Sequence, residues 1–343
     1  MAFTIEKRIR ATRLCLAMFI SFIYTSYVGV SEGIWVVMTC PIVLFDNATL
    51  GGTINKSHLR FWGTFLSAAF GMIFIVGFAN NVTINLIAIG VGVFLATYWY
   101  MDGKQGYAGG LMTWTLPILL LNHNDLKSAF LRLLNISLGI VISYLLLRFF
   151  YPEYARNKML SSMRNTLSEL ENLVIAITDE KLNDAEIQAM YLQHETNILT
   201  NINGFMRWQN EAVLETKAHP EYVSSGAKAF LHVRRLYRLL SVMVFHFDCS
   251  RMRTNQEVMD KFGLIKQQMD LIIIALQNNR HDYYLPEQWL QIEPANLELQ
   301  DTSDIHHHAL SALSISNIIY EEMRAIMANL VIFFQSRKAN NYY

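Results

Sequence analysis

Residues 61–101, FWGTFLSAAFGMIFIVGFANNVTINLIAIGVGVFLATYWYM, carry no formal charge from Phe61 to Met101. About 20 apolar residues in a helix cross the ~30 Å hydrocarbon core of a bilayer. The stretch is therefore long enough for two crossings, and the turn-forming pair Asn80-Asn81 near its middle supplies the reversal. Membrane helices are predicted over about 61–78 and 82–100.

Outward from these, apolar segments of similar length recur. The N-terminal side offers 14–30 and an irregular 33–53; the C-terminal side offers 106–121 and 129–150. Six spans are expected. The cluster Lys7, Arg8, Arg10 and Arg13 before the first one resembles the start of a secretory signal. Its apolar run is too long for a signal core and lacks a small-residue cleavage site, so a retained first helix is expected. After Tyr151-Pro152 the charge density of an ordinary solvated protein returns. The chain of 343 residues is thus expected to divide into a membrane module, 1–151, and a helical domain in water, 152–343, an all-α protein throughout. Overall it is 52% hydrophobic and 16% charged, against about 25% charged in soluble domains. The deficit lies in the first module.

Cytoplasmic loops collect lysine and arginine. One side holds the N-terminal cluster, Lys56 with Arg60, Lys104, and Arg148 with Arg156 and Lys158; the other holds Glu32, the Asn80-Asn81 turn, and Asp125 with Lys127. Both termini are therefore expected in the cytoplasm. Tyr98-Trp99-Tyr100 and Phe149-Phe150-Tyr151 suit the aromatic belt at the inner interface. Gly63, Ser67 and Gly71 recur every four residues and form a small-residue face for close helix packing.

In the second module, apolar residues at helical spacing predict helices around 159–174, 187–198, 222–247, 255–277 and 305–334. Zero net charge and the lack of an aromatic-basic stripe give no reason to expect nucleic acid. The scattered cysteines Cys15, Cys40 and Cys249 form no disulfide or metal pattern. No phosphate-cradling GxxxxGK[ST], HExxH or GxSxG motif occurs, so no cofactor and no metal are expected. His306-His307-His308 fan about 100° apart on a helix and read as a polar helix start.

The second span is the exception to smooth hydrophobicity. Trp35 to Pro41 is followed by Asp46, Asn47, the pair Gly51-Gly52, then Lys56 and Arg60. Pro41, Gly51 and Gly52 are read as a helix break within one crossing, which survives in a bilayer only where protein or water covers the freed backbone. A continuous helix from Gly33 would place Asp46 about 20 Å in, where an ionisable group is a functional candidate with a partner. A helix ending at Phe45, with Asp46 capping an interfacial loop, is the alternative.

The stretch Trp35 to Pro41, the step Ala48-Thr49-Leu50-Gly51-Gly52-Thr53, and Arg60-x-x-Gly63-Thr64 resemble the fusaric-acid-resistance family of bacterial inner-membrane proteins, which includes aromatic acid exporters, and the related aluminium-activated malate transporters of plants. The resemblance implies export or conduction of aromatic or dicarboxylic anions across the bacterial inner membrane. It maps the family's basic residues onto Lys56 and Arg60, which join Asp46 and Asn47 of the broken span as the expected path, although Asp46 does not fit the family's pattern; it also implies a membrane-lipid environment and a homodimer, because related exporters carry two such modules and this chain one. A membrane-anchored scaffold whose helical domain binds partners is the competing expectation. An intramembrane enzyme using Asp46 or His123 ranks below both, since the two fall on opposite faces of the membrane.

Overall fold

The computed structural model describes residues 2–45, 49–78, 81–101, 103, 105–121, 126–216, 220–278 and 312–339. Among them every regular element is an α-helix, and the chain divides into two compact units, Met1–Tyr154 and Ala155–Tyr343.

The first unit holds α1 (Ala2–Val28), α2 (Val30–Leu44), α3 (Leu50–Phe78), α4 (Val82–Tyr100), α5 (Gly106–Leu121) and α6 (Leu126–Phe149). Four contain stretches long and apolar enough to cross a membrane: Lys7–Val28, Leu50–Phe78, Val82–Tyr100 and Ala129–Phe149. The protein is thus a membrane protein. Helices α2 and α5, of 15 and 16 residues, reach only about 22 and 24 Å at 1.5 Å per residue, short of a full hydrocarbon core.

The expected second span, 33–53, is corrected. Helix α2 stops at Leu44, and Gly51-Gly52 is not a break inside it but the first turn of α3. Thr49 makes the difference: its hydroxyl accepts the Gly52 N–H at 3.1 Å, satisfying one of the orphan donors of a new helix. The Leu50 N–H is met by the Glu153 carbonyl at 2.9 Å, a long-range bond that a sequence pattern does not announce. Pro41 does not break α2 either. It sits three residues before the helix end, where its missing N–H removes one ladder bond and the helix carries on to Leu44.

Helix directions follow from named contacts. Arg13 donates to the carbonyls of Phe150 and Tyr151 at 3.2 and 2.6 Å, so α1 starts where α6 ends, and the Leu50–Glu153 bond starts α3 at that same end. The Asn135 amide donates to the Glu32 carbonyl at 3.0 Å, and Cys40 lies against the Gly139 carbonyl, so α2 and α6 run parallel. Gly63 lies on Ala108 and Gly71 on Leu119, so α3 and α5 run parallel. Two apolar clusters result. In one, Cys40 and Leu44 of α2 pack with Ala17 of α1 and Leu147 of α6; in the other, Leu116 and Leu120 of α5 pack with Ala88 of α4 and Ile75 of α3.

The second unit packs α7 (Ala155–Thr178), α8 (Asp184–Glu215), α9 (Pro220–His246), α10 (Cys249–Arg253), α11 (Gln256–Asn278) and α12 (Ala312–Ala339) around one core. Met159, Met163, Leu167, Leu170 and Val174 of α7 recur at three- and four-residue steps and are fully buried. Asn183 and Glu186 form a reciprocal capping box at the start of α8, and the Glu215 carboxylate accepts the Ala155 N–H at 2.8 Å at the positive start of α7.

Candidate functional site

Along α3, Thr53, Ser57, Arg60, Thr64 and Ser67 recur at four- and three-residue steps and all are buried, which draws a polar stripe along one face of the helix. Arg60 is its one charged member, 4% exposed. Its Nε and Nη2 donate to the Thr39 hydroxyl of α2 at 3.3 and 3.2 Å, and its Nη1 donates to the Tyr107 hydroxyl of α5 at 3.4 Å. Thr39 can accept because its own proton is committed to the Trp35 carbonyl at 2.6 Å. Lys56, one turn before Arg60, stands over the Tyr107 ring at 5.2 Å.

Among the described residues no carboxylate reaches Arg60; its partners are neutral hydroxyls. A buried charge without a counter-charge is costly, and an arriving anion removes that cost. The hydroxyls of Thr53 and Ser57, further along the stripe, are buried with no hydrogen-bond partner and can serve the same visitor. Three helices therefore converge on a cationic, hydroxyl-lined point. Seven residues beyond Arg60, about 10 Å along α3, Ser67 of the stripe joins Leu66, Phe70, Trp99, Tyr100, Met112 and Leu116 in bordering an apolar cavity of about 340 Å³.

Of the residues singled out from sequence, Lys56 and Arg60 come together here. Asp46 and Asn47 lie outside the described residues, as do His123 and His306-His307-His308. Helix α2 ends at Leu44, short of Asp46. Gly63 and Gly71 face α5 of the same chain: a Cβ on Gly63 would stand 2.8 Å from the Ala108 carbonyl oxygen, and one on Gly71 would stand against the Leu119 side chain. The Ser67 hydroxyl turns back to the Gly63 carbonyl at 2.8 Å. Thr39 and Tyr107 were not anticipated. A threonine on an apolar helix and an aromatic near an interface are ordinary residues in sequence, and only the fold carries them to Arg60. Among the described residues no group of three metal-ligating side chains occurs.

Residues 16–146 match the fusaric acid resistance protein-like family. The multidrug resistance protein MdtO of Escherichia coli strain K12 is 30% identical over 163 residues, 44% of this chain and 23% of that protein. Its Shigella flexneri counterpart is 30% identical over 186 residues, 50% of this chain and 27% of that protein. The chain thus spans about a quarter of the length of the curated relatives it matches.

Proposed function

We propose that this chain, whose residues 16–146 match the fusaric acid resistance protein-like family, is a membrane transporter or channel that exports organic anions, and not an enzyme. The observation that carries the proposal is Arg60, a buried guanidinium held by three hydrogen bonds to neutral hydroxyls. A carboxylate is the partner that such a group takes best, and none reaches it among the described residues. The aromatic-bordered cavity further along α3, at Ser67, has the size and lining that suit the flat body of an aromatic acid. The translocation path runs along Asp46, Asn47, Lys56 and Arg60, the six helices of the first unit all take part in crossing the membrane, and both termini lie in the cytoplasm. The relatives named for multidrug resistance support an outward direction.

Two copies act together. Helix α8 buries Ile187, Tyr191, Ile198, Phe205 and Ala212 in its own unit, while on an adjacent face, about 100° round the helix, Leu192, Leu199, Met206 and Val213 stand 44–58% exposed at strict seven-residue spacing. With Ala185 one heptad earlier they form the d positions of a seam of four heptads, about 42 Å long. Thr196, Asn203 and Asn210 fall at its a positions and are exposed. In a parallel, in-register pair each asparagine meets its own copy, the arrangement by which a buried amide sets register and pair number. An antiparallel pair would set the asparagines against leucine and methionine. A second copy of this chain is therefore the occupant that the seam fits.

The test of function is growth. A strain lacking the gene should become more sensitive to some members of a panel of aromatic and dicarboxylic acids, and be rescued by the wild-type chain but not by Arg60→Gln. Unchanged sensitivity across the panel contradicts the proposal.

A further inference from the structure

The first unit reads long, short, long helix twice over, and the two halves keep a constant offset of 76 positions, the distance from Val30 to Gly106, where α2 and α5 begin. Leu50 and Leu126, which begin α3 and α6, stand at that offset too. So do Gly33 and Gly109, Thr39 and Thr115, and the in-helix prolines Pro41 and Pro117. Gly63 and Gly139 obey it, and so do Ser67 and Ser143, each serine hydroxyl donating at 2.8 Å to the glycine carbonyl four residues before it. The packing repeats with the sequence. A Cβ on Gly33 would strike Thr25 at the end of α1, and one on Gly109 would strike Tyr100 at the end of α4. Gly63 of α3 lies on α5, as Gly139 of α6 lies on α2. The apolar clusters correspond as well, Cys40 with Leu116 and Leu44 with Leu120. Since α3 begins at the end of the unit where α6 finishes, the second half runs in the reverse sense to the first.

The offset carries Lys56 onto Arg132. Lys56 stands over the ring of Tyr107 at the start of α5; Arg132 stands over the ring of Trp35 near the start of α2, with 3.9 Å between its guanidinium carbon and the ring centre. The Nε and Nη1 of Arg132 are buried with no hydrogen-bond partner. Asn135, one turn on, is held by the Tyr24 hydroxyl at 2.7 Å and by the Glu32 carbonyl at 3.0 Å, which fixes the floor of the site. The Glu32 carboxylate acts on Arg132 through space without forming an ion pair. A guanidinium stacked on an indole is oriented by it, and its free nitrogens form charge-assisted bonds to a carboxylate.

We propose that the membrane unit is an inverted repeat of two three-helix halves and that Arg132, seated on Trp35, is a second site for an organic carboxylate at the opposite end of the path from Lys56 and Arg60. It rests on the proposed function for the nature of the ligand. The halves are unequal: the counterpart of Arg60 is Ile136 and that of Ser57 is Leu133, so the second site has one cation and fewer hydroxyls and binds the same anion more weakly. An anion entering at one end thus has a tight and a weak station on its way to the other.

Equilibrium titration of benzoate into the full chain in lipid nanodiscs tests this. Two molecules per chain are expected, with Arg132→Gln removing the weaker and Arg60→Gln the tighter. Trp35→Phe keeps the charge of Arg132 while altering its aromatic seat, and should weaken only the low-affinity site severalfold. One benzoate per chain, lost with Arg60→Gln alone, overturns the second site and leaves the proposed function standing. No benzoate bound at all removes both. Two bound molecules whose affinities neither Arg132→Gln nor Trp35→Phe alters also overturn the second site.

Discussion

Replacing Arg60 by glutamine should weaken anion binding without weakening the protein. In the unit the Arg60 guanidinium is buried and donates to the neutral hydroxyls of Thr39 and Tyr107, and no carboxylate among the described residues offsets its charge. A hydrogen bond to a charged group contributes about 1.5–3 kcal/mol, and 1.36 kcal/mol is tenfold, so loss of the charged donor should weaken carboxylate binding about 10- to 150-fold. Stability should move the other way or stay still, because glutamine keeps a donor near Thr39 and removes the cost of burying an unpaired charge. Benzoate affinity by titration and thermal midpoint without ligand, measured on the same detergent-solubilised samples, separate the two quantities. Affinity within twofold of wild type would refute the reasoning. So would a fall in midpoint that accompanies the loss of affinity, since that pattern belongs to a structural arginine.

Gly63→Val should lower the thermal midpoint, because its Cβ would stand 2.8 Å from the Ala108 carbonyl oxygen, a backbone atom that cannot swing aside, and overpacking of this kind costs about 1–3 kcal/mol; an unchanged midpoint would show that α3 and α5 separate freely. Glu171 of α7 is raised to about 7 by burial and by its hydrogen bond to Asp270 of α11, with Lys266 opposing. A folded-state pKa above the ordinary value means that the proton stabilises the fold: the contribution is complete below about pH 4.5 and is lost as pH rises through about 7. Thermal melts should therefore show a loss of stability between pH 5 and 8 that Glu171→Gln flattens. In membranes of a strain producing the Cys15→Ser background, Leu199→Cys and Met206→Cys should give covalent dimers on mild oxidation while Glu257→Cys, exposed on α11, should not; monomers from both seam positions would exclude the α8 pairing.

Periodicity and charge carry much of this architecture in plain sight. The uncharged run from Phe61 to Met101 marks α3 and α4 because no soluble core needs so long an apolar stretch, and the helical spacing of Met159, Met163, Leu167 and Leu170 marks α7. Of the two expectations for the second span, the helix ending at Phe45 agrees with α2 and the break within one crossing does not, because the Thr49 cap and the long-range Leu50–Glu153 bond decide where α3 starts. Arg60 stood out in sequence, but its partners lie on other helices: Thr39 is 21 positions away and Tyr107 is 47. Nothing local marks a threonine as the acceptor for a distant guanidinium. The repeat had a signal that went unread. Gly33, Thr39 and Pro41 have their counterparts in Gly109, Thr115 and Pro117, but identities so sparse carry weight only once the helix boundaries and glycine contacts fall at the same offset.

Flux through the purified chain tests the central claim most directly. Proteoliposomes holding only this protein and loaded with radiolabelled benzoate should release it faster than protein-free vesicles, in a saturable way that unlabelled aromatic acids inhibit and that Arg60→Gln abolishes. Release no faster than from empty vesicles, for benzoate and for every dicarboxylic and aromatic acid in the panel, would contradict it.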